Sequence, residues 1–515
     1  MNKEQILWAD DEIDLLKPHI LFLQNKGYEV TTVTNGRDAL DAISQQNFHL
    51  IILDENMPGI SGLEALQQIK IAQPNVPVIM ITKSEEENIM NQAIGSEIAD
   101  YLIKPVNPMQ ILLSIKKNLH SEALVAQKAT SDYQQEFMSI SQQIAMARTI
   151  DDWYQLYNTL VRWELTLSNA ETGMADMLRM QKQEANSAFA KMVKRNYEKW
   201  VTTDDHPLMS NEIFKTQIFP HIDAGEKVCF IVIDNFRLDQ WRTISPLLND
   251  YFNIEKEELY TTILPTATQY ARNAIFSGLM PIDIERMFPE LWVDEDEDEG
   301  KNLNEAPLIQ TILDRYRRKC KFSYNKLNDS AAGERLVQHF AQLKNFDLNV
   351  IVFNFVDILS HARTESKMIR ELAYTDEAYR SLTVTWFKNS YVLEIFKRIA
   401  EQGWKIVLTT DHGTTRVDNA IKVIGDKNTN TNLRYKVGKN LSYNPRQVYE
   451  IKQPKRFGLP LLNVSSTYIF ASGRDFFAYP NNYNHYVQYY NDTFQHGGIS
   501  MEEMLVPLVT LTPKK

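Results

Sequence analysis

Short apolar runs alternate with amphipathic segments over the first 120 residues of the chain. Runs near residues 5–9, 28–33, 49–53, 77–81 and 100–103 each have the length of a buried strand. Apolar residues recur at helical spacing between these runs. Strands that alternate with helices form a parallel sheet covered on both faces. The pattern therefore predicts a doubly wound α/β domain over residues 1–120.

A purely helical pattern follows over residues 121–205. From Ser121 to Val201 the chain has no proline and a single glycine, and apolar residues recur every three or four positions. This spacing predicts three or four helices packed in a small bundle. We expect the bundle to be a linker that couples the two flanking domains.

Unbroken apolar runs return in residues 206–515. They are Val228–Ile233, Leu348–Phe355 and Lys405–Leu408, with Thr467–Ala471 as a candidate fourth strand. Such runs are typical of central strands in a parallel sheet, and helical segments lie between them. The pattern predicts a second, larger α/β domain. The acidic run at 294–299 and the polar stretch at 425–444 are predicted to be loops.

Composition narrows the class of protein. A length of 515 residues fits about three units. The net charge of -11 argues against a broad basic face that grips DNA. Two cysteines are too few for a disulfide framework, and neither a signal peptide nor a membrane span is evident. These features favour a cytoplasmic protein.

Polar side chains stand at the predicted carboxyl ends of the first set of strands, where sites in such sheets lie. They are Asp10, Asp11, Asp54, Thr82 and Lys104. Three close carboxylates repel one another unless a divalent cation joins them, and Mg²⁺ suits oxygen ligands. One magnesium ion would leave Asp54 as a nucleophile toward a phosphoryl donor. Thr82 and Lys104 could then bind the phosphoryl oxygens.

These residues, with the LDENMPG stretch around Asp54, resemble the receiver domain of two-component response regulators. The resemblance covers the whole first domain and implies a CheY-like fold. It implies that Asp54 accepts a phosphoryl group from a sensor histidine kinase. It also implies that Asp11, Asp54 and the Asn56 carbonyl bind Mg²⁺ directly and that Asp10 binds through water.

The same resemblance implies a switch in the first domain. Thr82 and Lys104 match the switch positions, and Tyr101 stands where these domains carry a switch aromatic. Phosphorylation in this family rearranges the fourth helix, the fifth strand and the fifth helix. That change often creates a dimer face, so we expect a phosphorylation-dependent homodimer.

Carboxylates and imidazoles stand at or near the ends of the second set of strands. The six groups are Asp234, Asp357, His361, Asp411, His412 and His496. A single histidine after a strand is usually structural, but six such groups favour a metal centre. Mixed nitrogen and oxygen ligands suit Zn²⁺, with Mn²⁺ as the main rival. Asp357 and His361 are one helical turn apart and can face one ion. The adjacent Asp411 and His412 should diverge and could serve two different ions.

The segment LPTATQYARNAIFSG offers a nucleophile. Its proline and small residues suit a turn into a helix, which would put Thr268 near the helix N-terminus, beside backbone amides that favour a phosphate. The hydroxyl could act as a metal-activated nucleophile. The alternative is that Thr268 is only a helix cap, and Thr266 is the nearest rival nucleophile.

These motifs resemble the alkaline phosphatase superfamily, and specifically its PglZ domain. The resemblance rests on the metal-binding candidates, on PTAT, on TTDHG and on HGGISMEEMLVP, and it spans nearly all of the third unit. It implies that one zinc takes Asp234, Thr268, Asp411 and His412, and that a second takes Asp357, His361 and His496. The spacing D-x-x-x-H and the threonine resemble the nucleotide pyrophosphatase/phosphodiesterase branch. Thr268 would then attack phosphorus in line, and water would hydrolyse the phosphothreonine.

The order of receiver, helical linker and PglZ domain resembles a response regulator of type IX secretion. It implies a zinc-dependent phosphodiesterase for nucleotides or oligonucleotides, controlled by phosphorylation of Asp54 and by dimerisation. The alternative is a non-enzymatic regulator that acts through a protein partner, such as a sigma factor or a secretion-system protein. The third hypothesis is a phosphomonoesterase that uses the same metal ions.

Overall fold

The computed structural model describes residues 3–83, 87–95, 97–168, 172–293, 302–425, 429–462 and 465–514. The chain divides into two compact units, Met1–Ser131 and Asp132–Lys515. The boundary falls within one helix, Pro108–Met146. The loop predicted at 294–299 lies outside the described residues.

The described part of the first unit alternates strands and helices. The strands are β1 (Gln5–Ala9), β2 (Glu29–Val33), β3 (Leu50–Asp54), β4 (Val78–Thr82) and β5 (Asp100–Ile103). The helices are α1 (Lys17–Asn25), α2 (Gly36–Gln45), α3 (Gly62–Ala72), α4 (Glu87–Gly95) and α5 (Pro108–Met146). All five strands are parallel, in the order β2-β1-β3-β4-β5. The predicted doubly wound fold is confirmed.

Helix α3 packs closely against the end of β3. Ser61 and Glu64 form a capping box that begins the helix. A Cβ atom at Gly62 would lie 2.2 Å from the carbonyl oxygen of Asp54, so only glycine fits at this approach. This contact places the first turn of α3 beside the carboxyl end of the central strand.

The second unit begins with a helical bundle. The end of α5 packs with α6 (Ile150–Thr166) and α7 (Thr172–Thr202). Helix α6 buries Trp153, Tyr157 and Leu160, which confirms that its aromatic stripe belongs to a core. The described residues of the bundle therefore form three helices, within the predicted range.

The rest of the second unit is a large α/β domain. Its strands are β6 (Val228–Ile233), β7 (Phe252–Thr261), β8 (Phe322–Leu327), β9 (Leu348–Phe353), β10 (Lys405–Thr409), β11 (Thr415–Arg416), β12 (Asn419–Lys422), β13 (Tyr435–Gly438), β14 (Tyr449–Ile451), β15 (Thr467–Phe470), β16 (Asp475–Ala478), β17 (Phe494–Gln495) and β18 (Leu505–Pro513). Its helices are α8 (Phe219–Asp223), α9 (Leu238–Ile244), α10 (Thr268–Ser277), α11 (Pro281–Met287), α12 (Glu305–Arg315), α13 (Ser330–Gln338), α14 (Phe355–Glu365), α15 (Lys367–Leu372), α16 (Asp376–Asn389), α17 (Tyr391–Glu401), α18 (Tyr483–Tyr490) and α19 (Met501–Met504).

The main sheet of this domain has the strand order β7-β18-β10-β6-β9-β8. Strands β10, β6, β9 and β8 are parallel, whereas β18 is antiparallel to both of its neighbours. The main sheet is therefore mixed, not wholly parallel. Two expectations were wrong. Strand β15 belongs to a separate sheet of order β13-β15-β14, and β13 is a strand within the stretch predicted to be loop.

Helix α7 contacts the segment that follows β17. The Asn186 side chain accepts a hydrogen bond from the Met501 N–H at 2.8 Å and donates to Glu502 at 2.9 Å. Lys182 lies 3.2 Å from Glu502. Because α19 continues directly from the turn that carries His496, these contacts connect the helical bundle to a candidate metal ligand.

Candidate functional site

The first candidate site is a carboxylate cluster at the carboxyl end of the five-stranded sheet. Asp10, Asp11 and Asp54 each offer an oxygen, and the three oxygens lie within 4.8 Å of one another. The Lys104 ammonium lies 2.9 Å from Asp10 and 3.1 Å from Asp54. Asp10 and Asp54 are buried, whereas Asp11 is exposed. One ammonium offsets only one of the three charges, so the cluster suits a divalent cation.

The other residues predicted in this site lie nearby. Thr82, at the end of β4, is buried and donates a hydrogen bond to the Glu55 carboxylate. Tyr101, on β5, shares a side-chain hydrogen bond with Thr82. Asn56 is exposed two residues beyond β3. The switch and ligand roles of these residues remain predictions.

Asp54 is strained electrostatically. Burial, followed by the charge of Asp10, raises the pKa of its carboxyl to about 6, although Lys104 partly opposes the shift. The carboxyl is therefore harder to ionise in the folded chain than in the unfolded chain. The folded state keeps this proton between about pH 4 and pH 6. The contribution of Asp54 to the free energy of unfolding is therefore fully present below that window and is lost as the pH rises through it.

We expect Asp54→Asn to stabilise the magnesium-free chain at pH 8 and to leave it unchanged at pH 4. The difference between a pKa of about 6 in the folded chain and about 4 in the unfolded chain corresponds to about 3 kcal/mol. Urea unfolding of the full chain in chelator measures the effect. Asp14→Asn is the matched control, because the Asp14 side chain is 85% exposed. An equal stability of wild type and Asp54→Asn at pH 8 would contradict the expected strain.

A second cluster lies at the carboxyl ends of two neighbouring strands of the main sheet. Asp234 follows β6, and Asp411 and His412 follow β10; all three are buried. Their donor atoms lie within 4.8 Å of one another. His412 Nε2 is 3.7 Å from Asp234 Oδ1 and 3.9 Å from Asp411 Oδ2. Asp411 and His412 thus face the same cluster, and the expectation that they diverge toward different ions was wrong.

A third cluster adjoins the second. Helix α14 carries Asp357 and His361 one turn apart, and His361 Nε2 lies 3.4 Å from Asp357 Oδ2. His496, in the turn after β17, places its Nε2 3.7 Å from Asp357 Oδ1. The rings of His412 and His496 stack with 4.2 Å between centroids, so the two clusters are in direct contact. The His361 side chain is 58% exposed, which opens this side to solvent.

The hydrogen bonds of two histidines show whether metal ions suit these clusters. His412 Nδ1 lies 3.1 Å from the Gly413 carbonyl, and His496 Nδ1 lies 3.1 Å from the Thr266 carbonyl. A carbonyl only accepts, so each Nδ1 carries a proton, and Nε2 is the ring nitrogen that faces the carboxylates. Burial, then the neighbouring His412, lowers the pKa of His496 to about 3.

Ring nitrogens and carboxylate oxygens that lie within 4.8 Å of one another suit a bound cation. A backbone acceptor on the far ring nitrogen is also the usual partner of a metal-binding histidine. The imidazole and carboxylate donors match the preferences of Zn²⁺ and Mn²⁺. The residues present therefore fit two divalent ions, one for each cluster.

Arg272 lies inside the second cluster. Its guanidinium contacts Asp234 Oδ2, lies 3.0 Å from Asp411 Oδ2 and lies 3.2 Å from Glu305 Oε1. The side chain is fully buried. Burial alone would lower the pKa of Arg272, but the charges of Asp234 and Asp411 outweigh it and raise that pKa. The cation neutralises part of the carboxylate charge, and burial raises the pKa of Asp234 despite it.

Glu305 completes the surroundings of Arg272 and was missed in the sequence. It begins α12, is buried, and accepts a hydrogen bond from Lys326 at 2.8 Å as well as from Arg272. It stands 71 positions from Asp234 along the chain and outside every motif. The sequence around Glu305 is rich in acidic residues, and nothing in it distinguishes Glu305 from a carboxylate exposed to solvent.

Thr268 is the first residue of α10. Its Oγ1 lies 3.1 Å from His412 Nε2 and 3.4 Å from Asp234 Oδ1. The N-cap is Ala267, and no side chain among the described residues caps the helix, so the helix-cap alternative for Thr268 does not hold. Thr266 is buried, donates to the Gly498 carbonyl and accepts from the Gly497 N–H.

The two other arginines near these motifs have different partners. Arg237 lies 2.6 Å from Asp239 and 2.9 Å from Asp376. Arg363 donates to the backbone carbonyls of Ala373 and Tyr374. Of the three arginines considered, Arg272 is the one for which the described residues show ion pairs with the metal-binding candidates.

Three known families match consecutive parts of the chain. Residues 213–511, more than half of the chain, match the family described as the BREX system PglZ alkaline phosphatase-like domain. The chain belongs to this PglZ family. In the same PglZ protein, residues 6–116 match the response regulator receiver domain, and residues 123–201 match the PorX response regulator linker domain. The order of the three matches is a PorX-like architecture.

Curated relatives and solved structures match the receiver part. The transcriptional regulatory protein ResD of Bacillus subtilis (strain 168) is 32% identical over 115 residues, which are 22% of this chain and 48% of ResD. YkoG of the same organism, described as an uncharacterised transcriptional regulatory protein, is 34% identical over 121 residues, which are 23% of this chain and 52% of YkoG. The chain thus spans about half the length of these relatives. The CheY-like receiver protein of Methanospirillum hungatei JF-1 is 28% identical, with a TM-score of 0.23, over 23% of this chain and 96% of that structure.

These matches define the chain at a coarse level. The chain combines a response regulator receiver domain with an alkaline phosphatase-like domain. Receiver domains are phosphorylated by sensor histidine kinases and use Mg²⁺, and alkaline phosphatase-like domains use divalent metals. Among the residues that the structure describes, no helix is long and apolar enough to cross a membrane.

Proposed function

We propose that this PglZ protein is a cytoplasmic response regulator of type IX secretion whose PglZ domain is a zinc-dependent phosphodiesterase for nucleotides or oligonucleotides. One observation carries the proposal. The Thr268 hydroxyl approaches His412 Nε2 and Asp234 Oδ1 at the edge of two adjoining clusters of metal-binding groups. A hydroxyl in that position is suited to act as a nucleophile toward phosphorus.

The proposed ligand sets divide the clusters between two ions. One set is Asp234, Thr268, Asp411 and His412, and the other is Asp357, His361 and His496. When bound, two divalent ions supply positive charge that activates an oxygen nucleophile and offsets charge on the phosphate. The convergence of the donor atoms in each cluster supports this assignment.

The protein's own groups would orient the substrate and the nucleophile. The first N–H groups of a helix lack partners four residues back, and no described side chain caps α10, so the N–H groups of Thr268 and Gln269 can bind an anionic phosphate. The Thr268 oxygen forms a bond to phosphorus as the bond to the leaving alcohol breaks, and water hydrolyses the phosphothreonine afterwards. Thr266 is less suited to attack, because its hydroxyl is occupied on both sides by the backbone around Gly497.

The receiver would control this centre. In the proposal, Asp54 is the phosphoacceptor, Mg²⁺ is bound by Asp10, Asp11, Asp54 and Asn56, and Thr82, Tyr101 and Lys104 are the switch residues. The burial of Asp54 beside Lys104 supports the first of these roles. We also propose the domain boundaries 1–120, 121–205 and 206–515, which agree with the ranges of the family matches.

Ester hydrolysis tests the enzymatic proposal. We expect the zinc-loaded chain to hydrolyse bis-p-nitrophenyl phosphate faster than p-nitrophenyl phosphate. Chelation should abolish both rates, and added zinc should restore them better than manganese does. A preference for the monoester would support the phosphomonoesterase reading. No turnover of either ester would overturn the enzymatic reading and favour a regulator that acts through a sigma factor or a secretion-system protein.

Phosphorylation is expected to produce a homodimer. Beryllofluoride with Mg²⁺ mimics the phosphoryl group on Asp54, and light scattering on the full chain should then show a doubled mass. Asp54→Asn should remain at the monomer mass under the same conditions. A wild-type mass that does not change with beryllofluoride would contradict the dimerisation proposal while leaving the hydrolytic one intact.

A further inference from the structure

Asn235 lies between the two clusters of the PglZ domain. It follows Asp234 at the end of β6, is fully buried, and has a left-handed backbone with φ of 61°. Its side-chain Nδ2 lies 3.0 Å from Asp357 Oδ1, and its backbone N–H lies 3.5 Å from Asp411 Oδ1. One residue therefore contacts a carboxylate of each cluster.

A neighbouring serine fixes the orientation of the Asn235 amide. Ser360 Oγ donates to the Asp357 carbonyl at 2.8 Å, so toward Asn235 it can only accept. The atom of Asn235 that lies 3.0 Å from Ser360 Oγ and from Asp357 Oδ1 must therefore be the nitrogen. The amide offers both of its hydrogens to the α14 segment that carries Asp357 and His361.

The side chain of Asn235 has costs that a glycine would avoid. A left-handed backbone is unfavourable for most residues and is freely adopted by glycine, with asparagine the more tolerant exception. No donor among the described residues reaches the buried Asn235 Oδ1, which is also unfavourable. Glycine would form the same turn without either cost, so the amide donor is what the asparagine side chain contributes at this position.

We propose that Asn235 is a positioning residue that ties the two metal clusters together by holding the Asp357 carboxylate. A hydrogen bond to Asp357 Oδ1 stops the carboxylate from rotating and keeps its oxygens toward His361 and His496. The backbone N–H makes a longer contact with Asp411 from the same residue. The inference rests on the proposed two-metal centre, since it assigns Asn235 the task of aligning one ligand set with the other.

Zinc affinity of the full chain tests this role without reference to turnover. Competition with a chromophoric chelator measures the two zinc binding constants. They are compared between the wild type, Asn235→Gly and Asn235→Asp. Glycine keeps the left-handed backbone and removes the donor, whereas aspartate keeps the shape and turns an acceptor toward Asp357. The matched control is Asn440→Gly, because Asn440 is an exposed asparagine with φ of 52°.

We expect Asn235→Gly to lower the affinity for one of the two zinc ions by about 10- to 100-fold and to change the affinity for the other much less. Asn235→Asp should be at least as severe, and Asn440→Gly should match wild type. Denaturant unfolding of the zinc-free variants separates a lost fold from a lost contact. If both zinc affinities are unchanged in both Asn235 variants, the role of Asn235 is overturned and the two-metal centre is not. A wild-type chain that binds no zinc would overturn both the inference and the metal centre.

Discussion

Replacing Thr268 by alanine is expected to lower the rate of diester hydrolysis by at least about 10³-fold, as removal of a covalent nucleophile generally does. The Thr268 hydroxyl lies 3.1 Å from His412 Nε2 and 3.4 Å from Asp234 Oδ1, whereas the Thr266 hydroxyl is already bonded to the backbone. The measurement is the initial rate on bis-p-nitrophenyl phosphate by zinc-loaded protein. Alanine at position 268 has no oxygen to attack phosphorus, so only substrate binding and electrostatic stabilisation still contribute to catalysis.

Thr268→Ser is the matched control for this loss. It keeps the hydroxyl and should retain a large part of the wild-type rate, because Thr268 is at the first position of α10, where either residue fits. Zinc content is measured on each variant, so that a lost ion is not mistaken for a lost nucleophile. A Thr268→Ala protein that holds both zinc ions and hydrolyses the diester at the wild-type rate would exclude Thr268 as the nucleophile.

Replacing Arg272 by methionine should destabilise the zinc-free chain by about 3 kcal/mol or more. Removing one partner from a buried ion network leaves an uncompensated buried charge. Here Asp234, Asp411 and Glu305 would all lose the same cation, and none of the three is appreciably exposed. The cost is measured by denaturant unfolding of the full chain in chelator.

Zinc should reduce the cost of Arg272→Met, because a bound cation takes over part of the neutralisation of Asp234 and Asp411. Arg286→Met is the matched control, since the Arg286 side chain is 73% exposed and pairs with Asp283 at the surface. It should change stability by less than about 1 kcal/mol. An Arg272→Met chain as stable as wild type without zinc would show that the guanidinium does not hold this cluster together.

The sequence was informative where a residue's position follows from the end of a strand. Asp54 and Asp234 could both be placed this way, because parallel strands meet at one edge of a sheet and the run of apolar residues marks where each strand stops. The spacing of Asp357 and His361 was equally informative, because one helical turn brings both side chains to the same face.

The sequence was uninformative where tertiary pairing decides the outcome. Strand β15 has the apolar composition of a strand in the main sheet, yet it pairs with β13 and β14. The partners of Arg272 could not be found from spacing, because Glu305 and Asp411 are brought to it by the fold. The Asp411 carboxylate accepts a hydrogen bond from the His412 N–H at 3.1 Å, a local contact that the alternation of side chains does not predict.

The most direct measurement of the central claim is an anomalous difference map at the zinc edge from crystals of the zinc-loaded chain. We expect two peaks in the PglZ domain. One should lie within about 2.3 Å of donor atoms from Asp234, Asp411 and His412, and the other at the same range from Asp357, His361 and His496. A map with no peak at either cluster, or with zinc bound only elsewhere, would contradict the proposed two-metal centre.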